Sequence, residues 1–288
     1  MDWRTGVSLQ GSKAVLATMH AKERVISPLI ERFLGCSVEV ARGVDTDAFG
    51  TFSRDIERAG NQLEAARAKI EAGFQHVPSA RIGLSSEGSF GPHHFIPFFA
   101  SGREIVVMRD RISGFELIGH DATLDTNFQH EIVASVEAGR NFAKRIGFPG
   151  HGVILIACAD GKPVPDIALH KDVTSWEQLG QRIGAILASW GAAFVEADMR
   201  AHRNPRRMRA IKRATLDLIR KSRSQCPKCH QPGFSVTERL PGLPCSWCRQ
   251  PTSLVKTEVM ICAGCCHRSE QAVQAKSAEP GNCNDCNP

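Results

Sequence analysis

The alternation of apolar and polar positions divides the chain into short strands and helices. "KAVLATM", Lys13 to Met19, is an apolar run that reads as a buried strand, after which Val25, Ile26, Leu29, Ile30, Phe33 and Leu34 recur at helical spacing. Pro28 starts or bends that helix and Gly35 ends it. "CSVEVAR" alternates as a second strand. A helical pattern opens at Ser53, and Ile56, Ala59, Leu63, Ala66, Ile70 and Phe74 form one apolar stripe that ends near Gly73. "RIGLSS" is a third strand, followed by a glycine-rich loop, "SEGSFGPHHF". "REIVVM" and "GFELIGH" flank a turn as an antiparallel pair. Phe128 to Arg145 reads as a helix, "GVILIACA" and "VPDIALH" as strands, Thr174 to Trp190 as a helix, and "AAFVEADM" as the last strand. Pro205 is placed to open a basic helix. Strands alternating with helices predict an α/β domain over 1–222, with a mixed, mostly parallel sheet flanked by helices.

Cysteine usage changes the picture at the other end. Of the 11 cysteines, Cys36 and Cys158 sit in apolar runs and read as packing residues. Four C-x2-C knuckles, Cys226/Cys229, Cys245/Cys248, Cys262/Cys265 and Cys283/Cys286, fill the segment 223–288, a spacing that suits thiolates on metal in a reducing compartment better than disulfides. Two knuckles close one four-cysteine site, so two structural Zn2+ ions are expected in a small zinc-ribbon module. Consecutive knuckles would give tandem ribbons and alternate knuckles a cross-braced pair. The tandem arrangement is the expectation, and Cys266 or His267 could replace a ligand. No apolar run approaches the ~18 residues of a membrane span, and the start lacks the layout of a secretory signal. A cytoplasmic protein with no membrane partner is expected.

The formal net charge of +6 is unevenly placed. From Met199 to Arg223 ten Lys or Arg stand against one acid, Asp217, so this segment carries +9 and the remainder −3. Such a segment running into zinc ribbons fits RNA or DNA binding without catalysis.

Polar clusters fall after predicted strands, where open α/β sheets place their ligand crevice. In "VDTDAFGTF", Asp45 and Asp47 precede a turn at Gly50 and Thr51. With Glu57 and Glu87 they are oxygen ligands of the kind Mg2+ takes, able to hold metal or activate water. The alternative is that the two aspartates only cap a turn. Backbone amides at Gly50 and Thr51 would meet phosphate. His20 and Lys22 after the first strand, Ser89 and His93 in the glycine-rich loop, and Arg200, His202 and Arg206 near Pro205 complete a candidate substrate site. The expectation is a metal-dependent hydrolase or transferase acting on a phosphorylated substrate, most simply a nucleotide.

Taken together, "LATMHAKE", "DTDAFGTF", "SEGSFGPHH", "ADMRAHRNP" and the trailing cysteine pairs resemble an uncharacterised bacterial family, a domain of unknown function followed by a zinc ribbon. That resemblance implies no activity. "TMHAKE", "GTFSRDIERA" and "SEGSFG" are also similar, in order and spacing, to the inosine triphosphate pyrophosphatase superfamily. There a strand, an Asn and a Lys on phosphate precede a G-x-T-F turn into a helix with acidic metal ligands. The resemblance implies phosphate contact by Lys22 and nucleotide contact by "RAHRNP". His20 stands where that family has Asn, Lys22 falls one residue early, and Asp55 and Glu57 match the acidic helix positions only with an offset.

Overall fold

The computed structural model describes residues 9–43, 61–93 and 95–287. They form two compact units, Leu9–Ile219 and the residues from Arg220 onward. Among the described residues no helix is long and apolar enough to cross a membrane.

The first unit opens with β1 (Lys13–Ala17), α1 (Glu23–Leu34), β2 (Ser37–Val40), α2 (Gln62–His76), β3 (Ile82–Pro92), β4 (Ala100–Asp110) and β5 (Glu116–Thr123). These strands make one mixed sheet in the order β2-β1-β3-β4-β5. Parallel pairing joins β1 to β2 and to β3, and the other two ladders are antiparallel. Ile26 and Ile30 of α1 pack on Leu16 and Leu84 on one face. Ile70 and Phe74 of α2 pack with Val15 and Val107 on the other. The chain thus leaves β1 over one face and returns to β3 over the opposite one. The strand order reverses between β1 and β3, which is where an open α/β sheet leaves a ligand crevice beyond its strand ends.

A second sheet follows from β6 (His130–Val133), α3 (Val136–Ile146), β7 (Val153–Ala159), β8 (Lys162–Pro163), β9 (Leu169–Val173), α4 (Trp176–Trp190) and β10 (Ala193–Ala197). Its ladders are all antiparallel, with β10 between β6 and β7, and with β8 and β9 on β7. Phe142 and Ile146 of α3 and Leu179 and Ile183 of α4 bury the face made by Val153, Leu155 and Val195. Finally α5 (Pro205–Arg223) lays Ile211, Ala214 and Leu218 on the first sheet. The second unit is a three-stranded antiparallel sheet of β11 (Val236–Pro241), β12 (Val255–Ile261) and β13 (Arg268–Ala272).

Three expectations are corrected. The stretch Glu87 to Pro92, expected as a loop, is strand, paired residue by residue with β4. Its glycine at 88 serves close packing: a Cβ there would stand 2.5 Å from Glu104 Oε1 and 2.7 Å from an Arg207 guanidinium nitrogen. Of the helical stripe expected from Ile56 to Phe74, Ile56 and Ala59 lie outside the described residues, and the part from Leu63 belongs to a helix that starts at its own cap, Asn61. The Asn61 side chain accepts from the amides of Leu63 and Glu64, and the Glu64 carboxylate accepts from Asn61 N. This capping box opens α2 at Gln62. The segment expected as a helix from Phe128 begins as strand β6, and α3 starts only at Val136, capped by Ser135.

Candidate functional site

Beyond the C-terminal end of β1 the chain turns through Ala21, held at φ 56°, and puts Lys22 just past the strand, beside the point where the strand order reverses. Lys22 is 6% exposed and its Nζ donates to Ser86 O at 2.6 Å. Four further buried charges act on it. On the α2 face, Lys69 pairs with Glu87. On the α5 face, Arg207 donates to Glu104 at 2.7 Å and also to Met199 O, with its guanidinium over the Phe90 ring. Burial, together with Arg207 and against the pull of Glu87 and Glu104, brings the Lys22 pKa down to about 7. The Thr18 and Ser86 hydroxyls and Glu104 Oε2 are buried and meet no hydrogen-bond partner among the described residues.

Next to this cluster His20 stacks on His202, with ring centroids 5.0 Å apart. His202 belongs to the turn after β10, whose charges are set by two aspartates. Asp198, wholly buried, takes Arg200 through both carboxylate oxygens. Asp172 on β9 takes Arg200 at 3.0 Å and Arg203 at 2.8 Å, with His202 Nε2 at 3.9 Å. Burial, then His20, then Arg200 hold His202 below the ordinary imidazole pKa.

Of the residues singled out in the sequence, the structure sets Lys22 beside Glu87 and, in a second group, His20 with His202 and Arg200. Asp45, Asp47, Glu57, Gly50 and Thr51 lie outside the described residues. Ser89 is exposed farther along β3. His93 accepts from the amides of Phe95 and Ile96 and so braces the β3–β4 hairpin tip instead of reaching the crevice. Arg206 turns to Asp125 at 3.3 Å. Sequence reasoning missed Thr18, Lys69, Ser86 and Glu104. The only signal for them was a polar residue at a position that strand or helix periodicity assigns to the interior.

The basic segment is drawn into ion pairs along much of its length. Besides Arg200, Arg203, Arg206 and Arg207, Arg213 meets Asp121 at 2.8 Å and Arg209 lies 3.9 Å from Asp125. The pair between Glu104 and Arg207 is the most deeply buried, each side chain 1% exposed. Glu104→Gln should destabilise the protein by about 3–5 kcal/mol, because it leaves a buried guanidinium uncompensated. Glu104→Gln combined with Arg207→Met should recover most of that loss in urea unfolding, since both charges are then gone.

In the second unit the knuckles pair alternately, which corrects the tandem expectation. Cys226, Cys229, Cys262 and Cys265 form one tetrad, and Cys245, Cys248, Cys283 and Cys286 the other. Across the first the sulfurs are 3.7 Å (Cys226 to Cys265) and 3.5 Å (Cys229 to Cys262) apart; across the second they are 3.9 Å (Cys245 to Cys286) and 3.5 Å (Cys248 to Cys283). A tetrahedral ion with bonds near 2.3 Å to sulfur sets its ligands about 3.8 Å apart. Both tetrads could hold a metal ion.

Three of the four knuckles share one local geometry. The amides of Lys228, Trp247 and Gly264 each donate to the first sulfur of their pair at 3.4 Å. His230, Arg249 and Cys266, each just after a second cysteine, take positive φ. Cys266 is thereby turned outward and exposed, and His267 stacks on Phe234, so neither serves as a ligand in the tetrads.

No curated protein matches the chain. Its C-terminal three quarters, residues 70–288, match the family described as Domain of unknown function (DUF6671), and the chain belongs to that family.

Proposed function

We propose that the first unit binds and transforms a phosphorylated small molecule, a nucleotide in the leading form of this reading, as a hydrolase or transferase. The observation that carries it is the buried charge balance at the crevice. Among the described residues Lys22, Lys69 and Arg207 lie with two carboxylates, Glu87 and Glu104. A buried cation in excess is costly unless an anion completes the set. The hydroxyls of Thr18 and Ser86 are donors of the kind a phosphoryl oxygen accepts. Lys22 and Arg200 hold the phosphate, and His202, kept neutral, accepts a proton from the attacking water or hydroxyl.

The described residues do not make a magnesium site. Glu87 is engaged by Lys69, and the other expected ligands, Asp45, Asp47 and Glu57, lie outside the described residues. Among the described residues the groups of three or more His, Cys, Asp or Glu within reach of one ion are the two cysteine tetrads.

We further propose that the tetrads hold two structural Zn2+ ions. Four thiolates at these separations suit zinc and leave no open position for chemistry. The rival reading, nucleic-acid binding along Met199–Arg223, has less support, because much of that segment's charge is already met by carboxylates.

Calorimetry with inorganic phosphate, pyrophosphate and nucleoside mono-, di- and triphosphates tests the main reading, alongside turnover of the same panel with Mg2+ or with chelator. Saturable binding of at least one phosphorylated compound, lost in Arg200→Ala, is expected. Absence of binding and turnover across the panel would refute it.

A further inference from the structure

We propose that the second unit docks a basic peptide segment of a partner protein on the surface around Trp247, an inference that rests on the reading of the tetrads as zinc sites. Trp247 lies between Cys245 and Cys248 and is 75% exposed, although its backbone amide is tied to the Cys245 sulfur. A large, rigid side chain left in water on a fixed backbone is the residue type that dominates binding at interfaces. Two exposed carboxylates flank the same tetrad. Asp285 occupies in the fourth knuckle the position that Trp247 has in the second. Glu279 follows Ala278, which pairs with the segment just before Trp247 in a short parallel contact: Ser246 N donates to Ala278 O at 2.9 Å, and Ala278 N donates to Pro244 O at 2.8 Å.

Charge decides what kind of partner this surface fits. From Arg220 onward nine Lys or Arg stand against five Asp or Glu, a formal excess of four positive charges. Each Zn2+ held by four thiolates adds roughly two negative charges, so the loaded unit is about neutral as a whole and the local balance at the second tetrad decides. Arg249 and Lys276 are the exposed cations near the second tetrad, and Asp285 and Glu279 offset them. The metal-thiolate charge beneath Trp247 is then left in excess. An indole face over a negative field attracts guanidinium or ammonium groups and repels a phosphate backbone. A nucleic acid would need the opposite field.

The test uses the full-length, zinc-loaded chain, with metal content measured on the same sample. Three probes are titrated by intrinsic fluorescence and calorimetry at low and moderate salt: a ten-residue peptide of alternating Arg and Gly, its Glu-Gly counterpart, and a single-stranded oligonucleotide. The expected result is saturable binding of the Arg peptide with a change in tryptophan emission. Affinity should fall about tenfold or more in Trp247→Ala, and severalfold in Glu279→Gln/Asp285→Asn, with zinc content unchanged in both. If the loaded chain ignores the Arg peptide, or binds it equally in all variants, the proposal is overturned while the zinc reading stands. It is also overturned if Trp247→Ala weakens oligonucleotide binding instead. Zinc absent from the wild-type sample would refute the zinc reading and, with it, the charge argument.

Discussion

Cys262→Ser is expected to lower the zinc content from two ions per chain to one. The thiols that then become open to alkylation should be Cys226, Cys229 and Cys265, with Cys245, Cys248, Cys283 and Cys286 still protected. This follows from the alternate pairing of the knuckles. A tandem arrangement would instead expose Cys283 and Cys286. Native mass spectrometry gives the count and alkylation mapping gives the pattern. Full chelation should act more widely, because a structural zinc site contributes on the order of 10 kcal/mol to folding. The apolar cluster described in this unit, around Phe234, is itself built largely from the ligands Cys226 and Cys262. Without metal the β11–β13 ladder should lose its protection from hydrogen exchange. The first unit has separate apolar clusters around Leu16 and Leu155 and should keep its protection.

Lys22→Met should raise stability at neutral and lower pH while abolishing phosphate binding. Lys22 titrates at about 7 in the folded chain against an ordinary value of 10.5. Below pH 7 the amine is protonated in both states, and folding bears the full cost of burying the charge. Between about pH 7 and 10.5 the unfolded chain holds the proton and the folded chain does not, so wild-type stability rises with pH, by ~1.4 kcal/mol per unit at most. Methionine removes the charge and keeps an unbranched chain of similar length. The variant should therefore be more stable than wild type at pH 6, and its advantage should shrink steadily toward pH 10, where wild type also keeps the Lys22 to Ser86 hydrogen bond. Urea unfolding at a series of pH values measures this. A variant advantage that is constant with pH would show that Lys22 is not held neutral by its surroundings. A bound phosphate should reverse the effect by favouring the charged amine, so binding to wild type near pH 8 should take up a proton. Calorimetry in buffers of different ionisation enthalpy detects that uptake.

Local order shows in this chain wherever a short stretch decides its own conformation. The stripes of α1 and α4, the β4–β5 hairpin, Pro205 at the start of α5 and Gly35 at the end of α1 lie where the pattern puts them, because period, cap and turn act over a few residues. The glycines within β3 misled, since Gly88 is needed for a close approach by Glu104, its cross-strand partner on β4, and by Arg207 from α5, far along the chain. Asn61 and Glu64 carry a legible helix-start signal, the capping box that opens α2, inside a longer apolar stripe.

The candidate site was legible only in part, for the same reason. His20, Lys22, Arg200 and His202 stand just past the ends of β1 and β10, and strand ends can be placed from pattern, whereas Glu87 lies inside β3. Lys69, Glu104 and Arg207 sit inside regular elements, and nothing in their own neighbourhoods distinguishes them from solvated charges. Their burial depends on α2 and α5 closing on opposite faces of one sheet. The knuckle pairing is of this kind too. Each C-x2-C shapes two thiolates by itself, which is why eight ligands could be named from spacing. The ion needs four, and which second pair completes each set depends on how β11, β12 and β13 fold the knuckles toward one another. The sequence alone therefore determined the α/β elements, the cysteine ligands and the strand-end residues. Tertiary packing decided the buried charge balance and the cross-brace, because both are contacts between segments too distant in the chain for local pattern to encode.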